Sequence, residues 1–389
     1  MTPKSEAMML AASAEWSALL ECVSAQPDSD RFRAFLRDAN RESLLQLAEA
    51  HGVVNLVALR LPEASDLSVP EEFRQRMLES QRTQLLSRLG LISEMLRALQ
   101  RFGDAGVPAL VLKGPALSLQ AYGDATIRQY GDIDILVRHE DVFRATQTMI
   151  EAGFDAYVPS EAIASGKIPG EYFFSRPNTR VVLEVHTERT LRYFPHRLSV
   201  NDLFARSVKL EFDGRIVPTL CVEDALVGMC THGAKHFWER LMWIADVAAM
   251  VMRQQELDWD AARHIAGTLG AQRIVNTGLL LALDLLRLKL PLQVEEAARR
   301  DSGASALVAK VRTWLPSGDG ASGGLVGRAV FRAQMRGGFW PGIRYVARLS
   351  LSPTEQDWRE GREQKRSGYR DTVRRLVRLA GKYGRNPNR

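Results

Sequence analysis

The chain is poor in cysteine, and this shortage excludes two classes of protein. Its 389 residues include three cysteines, at Cys22, Cys221 and Cys230. They have neither the close paired spacing of a zinc site nor the even number that a disulfide framework requires. We therefore expect a protein of a reducing compartment, the cytoplasm.

Long hydrophobic runs, internal repeats and low-complexity segments are absent from the sequence as well. The longest apolar stretch, Gly278 to Leu290, is interrupted by the charged residues Asp284, Arg287 and Lys289. A membrane-spanning helix needs about 20 predominantly apolar residues, so this stretch predicts a buried helix and no membrane span. With 46% hydrophobic and 25% charged residues, the composition is typical of a globular protein with two or three structural units.

Positive charge is concentrated at one end of the chain. Residues 359–389 hold eleven Lys or Arg against three acidic residues, a net charge of +8, whereas the whole chain carries +6. This basic tail could contact an anionic partner such as nucleic acid, or it could be a solvated, partly helical segment. Its only aromatic residues are Tyr369 and Tyr383, which weakens the case for single-stranded nucleic acid.

Two acidic residues lie inside an otherwise aliphatic segment, Gly131–Val137. Side chains alternate between the faces of a β-strand, so Asp132 and Asp134 share one face, opposite buried Ile133, Ile135 and Val137. Neighbouring carboxylates raise each other's pKa unless a cation neutralises them. The pair therefore predicts a hard divalent ion, Mg²⁺, although an isolated Asp-x-Asp is also common at strand edges as two solvated acids.

A strand that turns into a helix precedes the acidic strand. Residues 109–112 read as a short buried strand that ends at Gly114, and Pro115 is suited to the first position of a helix to about Tyr122. The free N–H groups of a helix N-terminus suit a phosphate. Lys113 at the turn and Arg128 in the following loop add positive charge, as a Mg²⁺-bound triphosphate requires.

A third acid lies on a later predicted strand, Val181–His186, in which Glu184 and His186 share one face. An acid on an apolar strand needs water, a partner or a metal. If this strand lies beside the first, Glu184 completes a carboxylate trio as a metal ligand or as the base for an acceptor hydroxyl. His186 is either an accessory residue of the site or a hydrogen-bonded side chain at a strand end.

A predicted helix from about Val222 to Met252 carries a second polar group. His232, Lys235, His236 and Glu239 follow at three- and four-residue steps and would share one face. The histidine pair could bind a transition metal, but no third ligand is evident. We expect instead a polar face that closes over a nucleotide, with Lys235 at the triphosphate and His232 or His236 near the acceptor. Asp246 would be a buried acid, with Lys235 or Arg240 as its candidate partners.

Together these motifs resemble the nucleotidyltransferase superfamily that includes DNA polymerase beta and kanamycin nucleotidyltransferase. They are more similar still to an uncharacterised bacterial nucleotidyltransferase family related to it. The segments that carry the resemblance extend over roughly Arg76 to Asp357 and are Leu112–Gly114, Arg128 with Asp132–Val137, Glu184–His186, His232–Trp238 and Trp243–Asp246. One departure is Pro115, where the superfamily usually has Ser or Gly; proline lacks the N–H that would contact a phosphate.

The resemblance implies an α/β (α+β) fold with a mixed-sheet nucleotidyltransferase core. We expect an N-terminal helical region (1–98), the core (99–220), a C-terminal helical domain (221–358) and the basic tail (359–389). The expected reaction is Mg²⁺-dependent transfer of a nucleoside monophosphate from an NTP to an unknown acceptor, with one or two ions held by Asp132, Asp134 and Glu184. The expected nucleotide-binding residues are Lys113, Gly114, Arg128 and Lys235. The alternatives are a non-catalytic nucleotide-binding regulator and a nucleic-acid-binding protein that uses the tail.

Overall fold

The computed structural model describes residues 9–64, 70–164, 170–188, 198–318, 324–337 and 340–344. The basic tail and its boundary at residue 359 lie outside the described residues. Within the described ranges, none of the helices combines the length and the apolar character that a membrane crossing requires.

Short capped helices and one long helix form the N-terminal part of the chain. Side chains of Ser13, Asp28 and Asn40 accept hydrogen bonds from the first free N–H groups of three of these helices, which fixes where each begins. The helices are α1 (Ala14–Cys22), α2 (Ser29–Asp38), α3 (Arg41–Ala50), α4 (Val54–Arg60) and α5 (Glu71–Asp104).

A seven-stranded mixed sheet with its own helices follows. Its strands are β1 (Ala109–Val111), β2 (Ile133–Val137), β3 (Asp155–Ala156), β4 (Glu171–Ser175), β5 (Val182–His186), β6 (Val208–Phe212) and β7 (Arg215–Thr219). The helices between them are α6 (Pro115–Tyr122), α7 (Val142–Glu151), α8 (Ser160–Ala164) and α9 (Val200–Ala205). The strand order is β3-β4-β5-β2-β1-β7-β6, so β2 lies at the centre of the sheet.

Strand direction and register place the acidic segments together. Strand β2 runs parallel to β5 and antiparallel to β1. Strands β6 and β7 form a hairpin whose turn is Asp213-Gly214, and both turn residues have positive φ angles, 47° and 73°. The α/β fold class with a mixed sheet is confirmed by this arrangement.

The C-terminal part of the described chain is helical. It contains α10 (Val222–Lys235), α11 (Leu241–Arg253), α12 (Trp259–Leu269), α13 (Gln272–Leu286), α14 (Leu292–Arg300), α15 (Ser302–Trp314) and α16 (Leu325–Gln334). These helices share one hydrophobic core with α1–α4, as buried Leu19, Ile244 and Leu280 illustrate. The N-terminal and C-terminal helices therefore pack together against the same face of the sheet, where Leu110 and Leu136 join their core.

The opposite face of the sheet has a separate hydrophobic core. Ile133, Ile135 and Val137 of β2 are fully buried there, together with side chains of α5 and α7. The predicted alternation of β2 is confirmed, because Asp134 and Leu136 lie on the other face. The acidic face of β2 thus points toward the shared helical core, which contributes the remaining walls of the site.

The predicted continuous helix from Val222 to Met252 is wrong. The chain leaves the helix after Lys235 and enters α11 at Leu241. Phe237 and Trp238 both adopt positive φ angles, 58° and 54°, which is unusual for large residues. The fully buried Trp238 ring turns back onto α10 beside Gly233, and its packing there stabilises the break.

Candidate active site

The centre of the candidate site is a register pair on two neighbouring parallel strands. Asp134 of β2 lies directly opposite Glu184 of β5, and Leu136 lies opposite His186. Side chains two residues apart on a strand share a face, so Glu184 and His186 both point to the side of Asp134. One ligand atom from each of Asp134, Glu184 and His186 lies within 4.8 Å of the others.

Asp134 is almost completely buried, with 1% of its surface exposed. Its Oδ1 accepts hydrogen bonds from Lys113 Nζ at 2.8 Å and His186 Nε2 at 2.9 Å. Burial acts to raise the pKa of Asp134, but the Lys113 and His186 cations outweigh it and hold the pKa well below its usual range. Oδ2 is also buried and has no hydrogen-bond partner among the described residues, so a charged oxygen is left for a ligand.

His186 connects the two carboxylates. Its Nε2 lies 3.4 Å from Glu184 Oε2 as well as 2.9 Å from Asp134 Oδ1. Burial opposes the charged ring, but the hydrogen bonds to Asp134 and Glu184 prevail and raise the pKa of His186 to about 9. The raised pKa favours a protonated imidazole that donates to the carboxylates. A metal ion that displaced this proton could bind the same nitrogen, since His186 is one of the three residues whose ligand atoms converge.

Asp132 lies immediately before β2, beside the other carboxylates but outside the group of three that converges within 4.8 Å. Its burial and the neighbouring Asp134 charge raise the pKa of Asp132 to about 6. The expected trio of Asp132, Asp134 and Glu184 is thus assembled differently: His186 joins Asp134 and Glu184 in the converging group, and Asp132 lies at its edge. A divalent ion near Asp132 would relieve the repulsion that raises its pKa.

The residues present fit a hard divalent ion. The buried, unpartnered Oδ2 of Asp134 is negatively charged, and half-buried Glu184 and Asp132 add carboxylate oxygens beside it. Oxygen ligands of this kind suit Mg²⁺. The assignment of the metal to Asp132, Asp134 and Glu184 stays a prediction, with Oδ2 of Asp134 as its main support.

The turn between β1 and α6 lies against Asp132. Gly114 has φ 59° and ψ −124°, a conformation that favours glycine, and a Cβ at this position would lie 3.5 Å from the Asp132 carbonyl oxygen. Helix α6 begins at Pro115, as the sequence predicts. Lys113, the expected phosphate contact, points its ammonium group at Asp134. Its positive charge therefore already neutralises part of the negative charge of the carboxylates.

Arg128 is buried and bonded to the C-terminal helices. Its Nε donates to Oδ2 of Asp246 at 2.7 Å, and Tyr122 Oη donates to Oδ1 of the same carboxylate at 2.9 Å. The partners predicted for Asp246, Lys235 or Arg240, are therefore wrong, because Arg128 and Tyr122 occupy both carboxylate oxygens. The expected contact of Arg128 with a nucleotide stays a prediction.

Lys235 and the two histidines lie where α10 ends. Lys235 Nζ is 3.7 Å from Glu171 Oε1, and the same oxygen is 3.9 Å from His186 Nδ1, so Lys235 reaches the acidic site through Glu171. The rings of His232 and His236 are 4.7 Å apart, and Trp243 of α11 contacts both. Lys235 and this ring cluster thus border one side of the site.

Both ring-cluster histidines are neutral at physiological pH. Burial and the nearby cation Lys113 hold the pKa of His232 well below its usual range. Although part of the His236 ring is exposed to solvent, the surrounding protein and Lys235 lower its pKa to about 4. The expected common face with Glu239 is wrong, because the helix ends at Lys235 and Glu239 pairs with Arg328.

A small cavity lies beside these groups, with a volume of about 10 Å³, room for about one water molecule. Lys113, Arg128, His232 and Asp246 supply its polar walls, and Met229 and Trp243 are among its apolar ones. Asp132, Asp134 and Glu184 are not among its lining residues, so the cavity adjoins the acidic site on the side of α6, α10 and α11.

Glu171 is a further residue of this site, and no motif in the sequence points to it. It begins β4 and lies opposite His186 in the antiparallel β4–β5 pair. Its place beside His186 could be predicted only if the pairing of β4 with β5 were known. The one local indication is an acidic residue at the start of an aromatic strand, Glu171–Phe174.

Comparisons with known proteins agree with the motifs. Residues 37–287, more than half of the chain, match the model of a family described as uncharacterised nucleotidyltransferase. A crystal structure of an antigenic nucleotidyltransferase-like protein from Paracoccidioides brasiliensis is similar over 56% of this chain and 93% of that one, at 16% identity and a TM-score of 0.34. No curated protein sequence matches the chain.

Proposed function

Since the chain belongs to this family of uncharacterised nucleotidyltransferases, we propose that it transfers a nucleoside monophosphate from an NTP to an acceptor and releases pyrophosphate. The reaction depends on Mg²⁺. The wider superfamily of DNA polymerase beta, to which the same motifs are similar, implies the same chemistry.

One observation carries the proposal. Asp134 is a buried, charged carboxylate whose Oδ2 has no partner among the described residues, and Glu184 is its register partner on the adjacent strand. An uncompensated buried oxygen of this kind is expensive in a structural role, because burial without a partner costs free energy. A divalent ion on Oδ2 accounts for it.

Each residue of the site has a distinct role in the proposed reaction. Asp132 and Asp134 hold Mg²⁺, which when bound orients the α-phosphate and offsets the charge of an in-line displacement. Glu184 holds a second ion or accepts the proton of the acceptor hydroxyl. Protonated His186 keeps the Asp134 and Glu184 carboxylates in one orientation, through its Nε2 hydrogen bond to Asp134 and its ion-pair contact with Glu184.

The phosphate groups and the acceptor lie on the side of the cationic and aromatic residues. Lys113, Lys235 and Arg128 offset the charge of the leaving pyrophosphate, and the Gly114 turn approaches the triphosphate with its backbone. His232 and His236 are neutral and border the cavity side of the site, where they contact the acceptor. We expect a small molecule or a peptide or protein as the acceptor rather than nucleic acid, because aromatic residues are sparse in the basic tail.

The proposal is tested with α-labelled NTPs and water as the acceptor. The wild-type protein should slowly release labelled NMP and pyrophosphate with Mg²⁺, and it should bind a non-hydrolysable NTP more tightly with Mg²⁺ than with EDTA. Asp132→Asn and Glu184→Gln should remove both properties. Glu211→Gln, on the edge strand β6, is the matched control and should retain them. Binding that is equally tight in EDTA, and no pyrophosphate release with any NTP, would refute the proposal.

A further inference from the structure

Side chains from four helices hold the loop that leads into Asp132. This loop, residues 123–132, connects α6 to β2. Asn55 of α4 donates to the carbonyl oxygens of Thr126 and Ile127 at 3.2 and 2.9 Å, and Arg88 of α5 donates to Thr126 at 2.5 Å. A segment without regular secondary structure needs such partners for its backbone groups. The path of the loop is therefore set by helices distant in sequence.

The deepest of these attachments is the ion pair between Arg128 and Asp246. The two side chains are 6% and 2% exposed, and the bond joins the loop to α11 across 118 residues of sequence. Burial opposes the charge of Arg128, but attraction to Asp246 prevails and raises the pKa of the guanidinium group. Tyr122 occupies the second oxygen of Asp246, so the carboxylate is fixed in direction as well as in position.

The same attachment continues into the backbone. The N–H of Arg128 donates to Ser118 Oγ at 3.1 Å, and Ser118 Oγ donates in turn to the Asp124 carbonyl oxygen at 2.6 Å. Arg128 is therefore held at its side chain and at its backbone, four residues before Asp132. A displacement of Arg128 passes along this short piece of chain to the carboxylate at the edge of the site.

We propose that Asp246, acting through Arg128, is a positioning residue that places the Asp132 carboxylate beside Asp134 and Glu184. This inference rests on the proposed role of Asp132 in holding a divalent ion. The buried ion pair thus acts on the metal site from outside it. The C-terminal helices complete a site whose carboxylates lie on the strands or, for Asp132, immediately before β2. Groups that hydrogen-bond a metal ligand directly typically change metal affinity 10- to 100-fold when they are removed, and we expect the lower end of that range for Asp246, which acts through Arg128.

The test separates positioning from a general contribution to stability. Asp246→Asn keeps the shape of the side chain but removes the negative charge that balances the positive charge of Arg128. The double variant Arg128→Met with Asp246→Leu replaces the whole pair by apolar groups, which often preserves stability. Asp224→Asn is the matched control, because Asp224 is equally buried and makes a two-point ion pair with Arg206 away from the loop.

The measurements are Mn²⁺ affinity by electron paramagnetic resonance, without nucleotide, and hydrogen exchange of the loop amides. Asp246→Asn should weaken Mn²⁺ binding about tenfold and speed exchange in residues 124–132. The double variant should recover the melting temperature but not the affinity, and Asp224→Asn should bind Mn²⁺ as the wild type does.

Three results would count against the inference, and they differ in what they overturn. If the wild type binds Mn²⁺ and folded Asp246→Asn binds it equally well, the positioning role is wrong and the proposed function stands. If the double variant regains affinity together with stability, the ion pair contributes only to folding. If the wild type binds no Mn²⁺, the metal role of Asp132 fails, and the positioning role fails with it.

Discussion

Asp134 and Glu184 face each other across two parallel strands, and the protonated ring of His186 lies between their carboxylates. Two acids this close, with one of them fully buried, need compensating positive charge. His186 and Lys113 supply it at Oδ1 of Asp134, and Oδ2 remains for a ligand. The protein thus neutralises part of the negative charge of Asp134 and Glu184, and a ligand at Oδ2 would neutralise the remainder.

The first prediction concerns the charge of Asp134. Asp134→Asn should reduce NTP turnover at least about a hundredfold, because a metal ligand and its transition-state stabilisation are lost. The side chain keeps its volume, so the near- and far-ultraviolet circular dichroism should match the wild type. Release of pyrophosphate from labelled NTP at a near-normal rate would exclude the metal mechanism.

The second prediction concerns stabilisation by the metal itself. An ion that binds only the folded state should raise the free energy of unfolding, by about 2.7 kcal/mol at a concentration 100 times its dissociation constant. A thermal melt with increasing Mg²⁺ should therefore show a rising midpoint that EDTA reverses. In Asp134→Asn the midpoint should not respond to Mg²⁺, and a response equal to that of the wild type would place the ion elsewhere.

Much of the sheet and of its acidic face was predictable from local sequence. The alternation around Ile133 and Ile135 identifies a strand with its acids on one face, and Gly114-Pro115 and Asp213-Gly214 mark a helix start and a hairpin turn. These features depend on backbone preferences and on burial of one strand face, which are properties of a few consecutive residues.

The remainder of the site depends on contacts between distant residues. Arg128 meets Asp246, and Glu171 meets His186, only because of how the helices and strands pack. The helix break after Lys235 likewise has no proline to announce it, and the nearby Gly233 lies inside α10. Trp238 stabilises the break by filling a space left by Gly233 and Gly278, and Gly278 lies in a helix that follows much later in the chain.

The third prediction concerns the basic tail, which lies outside the described residues. Truncation before Glu360 should preserve folding and NTP binding, because the tail is rich in arginine and has few large apolar residues beyond Val373, Leu376, Val377 and Leu379. Binding of an anionic acceptor could weaken, and that loss should shrink as salt rises. Loss of NTP binding on truncation would assign the tail to the core.

The last prediction concerns the break between α10 and α11. A Cβ on Gly233 would lie 2.5 Å from the ring of Trp238, which is fully buried and cannot move aside. Gly233→Ala should therefore destabilise the protein by about 1–3 kcal/mol and disturb the ring cluster of His232, His236 and Trp243. Gly90→Ala is the matched control, because a Cβ there meets nothing within 4 Å in the exposed face of α5. It should stabilise the helix by about 1 kcal/mol. The measurement is the urea concentration at the unfolding midpoint of each variant. Equal shifts from the wild-type midpoint would mean that Trp238 does not require the space beside Gly233.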